Sequence, residues 1–414
     1  MSKKYISESD VQYQLANLRQ LTFEVTDACN LSCSYCAYGD FYNDYDKRDN
    51  NKMNLSAAIR VIDYLVELWN SNQNMSTNRT VYISFYGGEP LLNMFFIKTI
   101  VDYIENIECD HRKFIFSMTT NALLLDKYMS FLVEHSFNLL ISLDGNEYNT
   151  SYRVSKSGKP AYNTIIRNVE VLRKKYPDYF ENNVNFNAVL HNRNSIEEIY
   201  KFFKDRYNKI PSIGELNSMG IAPDKINLFR ATYRNVNESL HQSENYEEIE
   251  QAMFLKTASY KTLSTFIHRY SGFVFRNYND LLFGQCEKNI PTGTCIPFSR
   301  KMFITVNGKI MPCERIGQQF ALGKVTSSAV ELDLNFIADK YNAYFSKLEQ
   351  QCSKCRKTDS CIQCIFNLNN LDNSPTCYGY TNEQTFNVYK KQQMDFLRKH
   401  PEAYFRIMEE VIIE

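Results

Sequence analysis

Two periodicities alternate along this chain. From residue 20, short runs rich in β-branched and aromatic residues are separated by stretches whose apolar positions recur at helical spacing. The strand-like runs are "LTFEVTD" (21–27), "VYISFYGGEP" (81–90), "KFIFSMTTN" (113–121), "NLLISLDG" (138–145), "NVNFNAVLH" (183–191) and "SIGELNSM" (212–219). Between the first two, Ile59, Ile62, Leu65, Val66 and Trp69 predict a helix from about Leu55 to Trp69, with Asn54 as its N-cap. Six such units, with strands apolar on both faces, predict an α/β fold in which helices cover a parallel sheet. Six units in about 200 residues suit an open, partial (β/α)6 barrel better than a closed eightfold one.

The later pattern differs. Residues 220–285 read as a helical bridge, aromatic and mixed in charge. "KMFITVNGKIMPC" (301–313) reads as a β-hairpin turning at Asn307-Gly308, inside a cysteine-rich module drawn at 286–378. Residues 379–414 read as mostly helical from about Asn382. With 1–19 as an N-terminal segment and 20–219 as the barrel, this gives the expected domain plan. In such folds ligands gather at the carboxyl ends of the strands. The polar and glycine-rich signals sit there: a cysteine loop after the first strand, then "GGEP", "TTN" and "SLDG".

Charge narrows the partners. Lys plus Arg and Asp plus Glu both total 47, which argues against a nucleic-acid groove or an anionic membrane surface. The start lacks the apolar core of a signal peptide, and no run of about 18 apolar residues occurs, so a soluble cytoplasmic protein is expected. In a reducing compartment, 12 cysteines point to metal or redox chemistry rather than disulfides. Three lie in 29–36, eight in 286–377, and Cys109 stands alone as an ordinary buried thiol.

The first group, Cys29, Cys33 and Cys36, has C-x3-C-x2-C spacing. A structural zinc takes four protein ligands, so three thiolates leave one position open. An iron–sulfur cluster held by three cysteines would leave one iron free for a small molecule; the alternative is three thiols on a loop without metal. The motif, with Tyr35 just before its last cysteine, resembles the radical S-adenosylmethionine (radical SAM) superfamily. The resemblance implies that Cys29, Cys33 and Cys36 hold a 4Fe-4S cluster whose fourth iron binds S-adenosylmethionine. It also implies one-electron cleavage of that cosubstrate to a 5′-deoxyadenosyl radical, which abstracts a substrate hydrogen. Gly87, Gly88 and Glu89 of Gly87-Gly88-Glu89-Pro90 match the motif that receives the methionine ammonium, glycine allowing close approach of backbone to ligand. Ser142 and Asp144 match the position that contacts ribose or the methionine carboxylate. Arg153 is a carboxylate partner or a solvated loop arginine, and Val189 and Leu190 either pack on adenine or belong to the core.

The second group reads C-x12-G-x4-C (Cys295, Gly308, Cys313), then C-x2-C-x5-C-x2-C-x12-C through Cys352, Cys355, Cys361, Cys364 and Cys377. Two C-x2-C pairs alone would make a zinc ribbon, but that leaves Cys286, Cys295, Cys313 and Cys377 without a role. The order resembles the SPASM extension of radical SAM enzymes, with C-x2-C where the family has C-x3-C. This implies two auxiliary 4Fe-4S clusters, one on Cys295, Cys313, Cys364 and Cys286, the other on Cys352, Cys355, Cys361 and Cys377. Three clusters in all would use eleven of the twelve cysteines. Glu314 stands where sulfatase-maturing relatives place an Asp base, and Arg315 could pair with it.

The resemblance implies a radical SAM oxidoreductase that matures a ribosomally made peptide, forming a thioether or carbon–carbon crosslink. The runner-up is an anaerobic sulfatase-maturing enzyme, which turns Cys or Ser into formylglycine. The implied partners are a peptide or protein substrate, a one-electron donor such as flavodoxin or ferredoxin, and a separate leader-binding protein, in an anaerobic organism. A non-enzymatic zinc or electron-transfer protein remains the reading from another class, and a small-molecule substrate a third possibility.

Overall fold

In the computed structural model, the residues described are 5–74, 80–109, 112–254, 258–270, 290–358 and 361–410; Cys286 lies outside them. The β-rich runs become β1 (Gln20–Thr26), β2 (Thr80–Gly87), β3 (Lys113–Thr120), β4 (Asn138–Ser142), β5 (Val184–Val189) and β6 (Ser212–Gly214). These pair in parallel and in chain order. This is the α/β parallel sheet that the periodicity predicts, sequential as in a barrel wall and ending at β6. β6 is shorter than expected. At Glu215 the side chain accepts from Tyr233 Oη (2.7 Å), Asn235 Nδ2 (3.1 Å) and Val236 N–H (2.7 Å), which ties the chain to the next helices instead of the ladder.

After a short N-terminal helix, Glu8–Ala16, the helix that follows β1, Leu55–Trp69, begins where Asn54 Oδ1 accepts the Ala57 N–H at 2.9 Å, the N-cap bond expected of Asn. Its buried face is Ala57, Ala58, Val61, Ile62, Leu65 and Trp69, so Ile59 and Val66 fall at the margin of the stripe. Helices Met94–Glu105, Leu125–Glu134, Tyr162–Lys175 and Ile196–Tyr207 follow β2 to β5. Stacked aromatics, Phe85 and Phe116 on Phe137, fill the space beneath the sheet.

The hairpin corrects the domain plan. β7 (Met302–Ile304) and β8 (Lys309–Met311) pair antiparallel, and Gly308 takes φ +80° in the turn. They do not stay with the later cysteines. β7 joins β1 in parallel, with Leu21 opposite Met302 and Phe23 opposite Ile304. β9 (Gly323–Val325) and β10 (Val330–Glu331) extend the sheet to ten strands in the order β10-β9-β8-β7-β1-β2-β3-β4-β5-β6. The physical reason is that a strand's backbone donors and acceptors must be paired, and without β7 the outer side of β1 would be bare. One compact unit therefore comprises Gln12–Ala252 and Pro297–Asp333. The other comprises Met1–Val11, Met253–Ile296 and Leu334–Glu414, so neither 220–285 nor 286–378 is one compact piece.

In the second unit the helix Leu334–Cys352 buries Tyr341 and Phe345, with Phe366 packed edge-on against Tyr341, and it delivers Cys352 at its end. The C-terminal stretch is two helices, Glu383–Lys399 and Pro401–Glu410, divided where Pro401 cannot continue the first. Asn382 caps the first by accepting the Thr385 N–H at 2.9 Å. No helix among the described residues is long and apolar enough to cross a membrane.

Glu24 of β1 fastens the hairpin. It is 1 % exposed and accepts from Arg48 Nη1 (3.1 Å) and from the Val306 N–H (3.0 Å). Glu24→Ala strands the arginine and frees the turn, so a loss of about 3–5 kcal/mol is expected. Hydrogen exchange should lose protection in β7 and β8 before β3 and β4; uniform loss across the sheet would refute this role.

Candidate functional site

Cys29, Cys33 and Cys36 lie half-buried on the loop that leaves β1, and groups following β2, β3 and β4 grip that loop. From β2, the Gly88 N–H reaches the Thr26 carbonyl and the Glu89 N–H the Ala28 carbonyl, both at 2.9 Å. From β3, Asn121 Nδ2 reaches Asn30 Oδ1 at 2.7 Å and Cys29 Sγ at 3.8 Å. From the loop after β4, the Val154 carbonyl accepts the Ser32 N–H at 2.8 Å. Burial pushes the Cys29 thiol up to about 11 and the Cys33 thiol up to about 12. Such thiols stay protonated when free and give up the proton on ligation.

Gly87 and Gly88 are glycines for a reason different from the expected one. A Cβ on Gly87 would lie 2.2 Å from the Thr26 carbonyl oxygen, and one on Gly88 2.1 Å from the Ala28 oxygen. The close approach is therefore to the backbone that opens the cysteine loop. Glu89 is fully buried and accepts from the Leu91 N–H (3.1 Å), Thr120 Oγ1 (2.7 Å) and the Asn121 N–H (2.8 Å). Burial pushes its carboxyl up to about 7 against these donors. Among the described residues no Lys, Arg or His forms an ion pair with it. The sequence reading gave "TTN" no role; Thr120 and Asn121 prove to be the groups that hold Glu89, and their strand-end position is the signal that could have found them.

The second buried carboxylate is arranged oppositely. Asp144 Oδ2 and Oδ1 accept from Arg153 Nε and Nη2, both at 2.9 Å, and Oδ1 also accepts the Val189 N–H at 2.9 Å. The Tyr35 hydroxyl donates to Oδ2, and His191 Nε2 stands 3.9 Å away. Burial alone would raise this carboxyl, but the Arg153 charge and the surrounding hydrogen bonds outweigh it and hold it well below the usual carboxylate range. Arg153 is 6 % exposed, so it is not a solvated loop residue. Its carboxylate partner in this structure is Asp144. The Tyr35 ring stacks on His191 at 5.3 Å between centroids, which fixes the residue between Cys33 and Cys36. His191 carried no signal in the sequence beyond its place at a strand end. Ser142 is half-buried at the end of β4, Val189 packs at the rim of an apolar group with Tyr35 and Cys33, and Leu190 is wholly core.

Cys313 and Glu314 follow β8 in the same unit. Lys301, not Arg315, pairs with Glu314, with Nζ 3.1 Å from both carboxylate oxygens. The hairpin register explains this, since Phe303 opposite Met311 sets Lys301 opposite Cys313. Arg315 instead offers its N–H to Cys313 Sγ at 3.3 Å. Tyr38, Tyr45 and Tyr86 pack together here, with Tyr38 4.9 Å from Tyr45 and 6.2 Å from Tyr86 between ring centroids. Arg48 covers Tyr38 at 4.1 Å.

In the second unit Cys352, Cys355, Cys361, Cys364 and Cys377 line one cavity of about 250 Å³. Cys295, in the same unit, is exposed. Among the described residues no three Cys, His, Asp or Glu side chains converge as ligands of a single ion; the thiols ring a volume instead. Soft thiolate donors around a cavity fit an iron–sulfur group. Of the set expected from Cys295, Cys313, Cys364 and Cys286, the last lies outside the described residues.

Asp144→Asn removes the charge that neutralises Arg153, so the apo chain should lose about 3–5 kcal/mol against denaturant. The unfolding midpoint of Ser142→Ala, at a neighbouring strand end without this pair, should hardly move. Equal, small effects would show that the ion pair is not what secures Tyr35.

Residues 23–205 match the model of the radical SAM superfamily. An uncharacterized protein of Methanocaldococcus jannaschii is 34% identical over 158 residues, covering 38% of this chain and 49% of that protein. The radical SAM cyclopropyl synthase TigE of Paramaledivibacter caminithermalis is 28% identical over 180 residues, 42% of this chain and 35% of TigE. A cysteine-type anaerobic sulfatase-maturating enzyme of Clostridium novyi is 27% identical over 194 residues, 46% of this chain and 49% of that enzyme. The chain thus spans about half or less of the length of these curated relatives. The fold is like that of the solved structure of native anSMEcpe with bound AdoMet, with a TM-score of 0.58, 18% identity, and cover of 95% of this chain and 100% of that one. Residues 23–205, which carry the three-cysteine loop and the buried carboxylates at the strand ends, are a radical SAM domain.

Proposed function

We propose that the chain is a radical SAM enzyme that modifies a peptide or protein. The observation that carries the reading is Glu89, a fully buried carboxylate beside the three-cysteine loop with no cation among the described residues paired to it. A site of this kind asks for a positive ligand, and the methionine ammonium of S-adenosylmethionine is one. In this reading Cys29, Cys33 and Cys36 hold a 4Fe-4S cluster, and Gly87, Gly88 and Ser142 border the cosubstrate. Asp144 and Arg153 act on it by positioning Tyr35, and Val189 offers an apolar edge. When bound, cluster and cosubstrate supply a 5′-deoxyadenosyl radical. The chain's own part is to hold the ammonium on Glu89, fix the loop through Gly88 and Val154, and exclude water with the packed tyrosines.

Cys352, Cys355, Cys361 and Cys377 would hold one auxiliary cluster, and Cys295, Cys313 and Cys364, with Cys286, another. Glu314 would accept a proton from substrate only after release from Lys301. The leading substrate is a ribosomally made peptide, crosslinked by a thioether or carbon–carbon bond. The second reading, formylglycine formation, draws support from relatives named as cysteine-type and serine-type sulfatase-maturating enzymes. The electron would come from a flavodoxin- or ferredoxin-like donor, and a separate chain would bind a leader.

Anaerobic reconstitution should load about twelve irons per chain and, with reductant, yield 5′-deoxyadenosine. Replacing Cys29, Cys33 and Cys36 with Ala should abolish that product and leave roughly eight irons. One zinc and no deoxyadenosine would overturn the assignment. Supplying a sulfatase-derived peptide and a cysteine-bearing precursor peptide in parallel, with mass spectrometry of each, separates the two substrates.

Glu89 adds a pH test. The carboxylate, not the acid, holds an ammonium, and its ordinary value is raised to about 7. Cosubstrate affinity should therefore be full above pH 7 and weaken as pH falls, approaching roughly tenfold per unit. Glu89→Gln should bind more weakly and without that slope. A flat wild-type profile from pH 8 to 6 would remove Glu89 from the role.

A further inference from the structure

Two arginines stand around the three-cysteine loop, and the structure uses them differently. Arg153 lays Nε and Nη2 side by side on the Asp144 carboxylate, both at 2.9 Å. That bidentate grip commits its charge to one carboxylate. Arg48 meets its own carboxylate with a single nitrogen. Nη1 donates to Glu24 Oε1 at 3.1 Å, while Glu24 Oε2 is taken by the Val306 N–H at 3.0 Å. Nε donates to the Asp27 carbonyl at 3.0 Å. Nη2 is shut from solvent and has no hydrogen-bond partner among the described residues.

The spare donor belongs to a side chain anchored where the cysteine loop meets the glycine turn. The Asp27 carbonyl that holds Nε lies two residues before Cys29, and a Cβ on Gly88 would stand 2.9 Å from its oxygen. On its other side the guanidinium covers the ring of Tyr38, two residues beyond Cys36, at 4.1 Å. Arg48 is therefore fixed between the entry and the exit of the loop, against the Gly87-Gly88 turn that leads into Glu89. A buried guanidinium N–H without an acceptor is unfavourable, and a planar fork with one free arm suits a carboxylate. Asp27 Oδ1 is also buried without a partner, but it is an acceptor and cannot hold an anion.

We propose that Arg48 binds the carboxylate at the methionine end of S-adenosylmethionine through its free Nη2. This rests on the radical SAM reading given above. The methionine end is a zwitterion, and in a site closed to water both of its charges must be met. Glu89 offers the negative partner for the ammonium. Arg153 is committed to Asp144, whereas Arg48 keeps a donor for the carboxylate, so Glu89 and Arg48 divide the two charges between them. The bond from Nη1 to Glu24 continues to fasten the hairpin while the other arm of the fork serves the ligand.

The test compares two ligands on the reconstituted full chain without reductant, so that neither is consumed. One is S-adenosylmethionine; the other is its decarboxylated analogue, which keeps the sulfonium and the ammonium. Dissociation constants are read by equilibrium dialysis, with iron counted in every sample, and their ratio measures the preference for the carboxylate. Glu24→Gln keeps Arg48 and an acceptor for Val306, and should hold the parent ratio. Adding Arg48→Met to it removes the donor without stranding a buried charge. That pair should lose about 10- to 100-fold of the ratio, through weaker binding of S-adenosylmethionine and unchanged binding of the analogue. A parent ratio in the pair would overturn the proposal, whether both ligands bind normally or both weaken alike. So would an equal fall in Glu24→Gln alone, or iron loss in the pair, because Arg48 would then serve the loop and not the carboxylate. A parent chain that holds its iron and binds neither ligand would instead overturn the radical SAM reading beneath it.

Discussion

A carboxylate taken out of water must find a positive charge or keep its proton, and this constraint organises the strand ends. Glu24, Asp144 and Glu89 are buried there, as is Asp27, which accepts from the Asp49 N–H and Asn51 Nδ2. Glu24 has Arg48 and Asp144 has Arg153, each supplied from a later loop of the same chain. Among the described residues Glu89 has only neutral donors. The two satisfied pairs are framework: one fastens the hairpin to β1, the other fixes Tyr35 within the cysteine loop. Glu89, wholly shut from solvent, is where the described residues leave a charge to be met from outside. Environment, not residue type, separates the two roles, since all of these carboxylates are almost wholly buried.

What the sequence made legible was local. Runs rich in β-branched and aromatic residues named β1 to β6, and Asn54 and Asn382 marked helix starts because an N-cap is decided within three residues. The cysteine spacing and the strand-end glycines led to the superfamily whose model residues 23–205 match. What was not legible depended on distant partners. Nothing in "KMFITVNGKIMPC" says that its first strand will lie beside β1. Arg153 is nine residues from Asp144 and could not be told from a solvated arginine until the fold buried both. Lys301 displaced Arg315 as the partner of Glu314 through hairpin register, which adjacency in sequence misses. Gly87 and Gly88 were recognised, but what approaches them is the Thr26–Ala28 backbone.

The later cysteines show the same division between count and arrangement. Spacing gives the number of thiols and their order along the chain. It does not give the single cavity that five of them line, with Thr292 at φ +69° in its wall.

The pairing of β1 with β7 bears on how the chain comes into being. Glu24 and Val306 are 282 residues apart. A ribosome adding about 5–20 residues per second leaves β1 waiting roughly 15–60 s for its outer neighbour, long after β2 has covered the other side. During that interval a β-rich edge bordering the three-cysteine loop stands bare, open to pairing with another nascent chain. The last strands to be made thus act as a seal, and their arrival marks the moment at which the growing polypeptide stops being vulnerable.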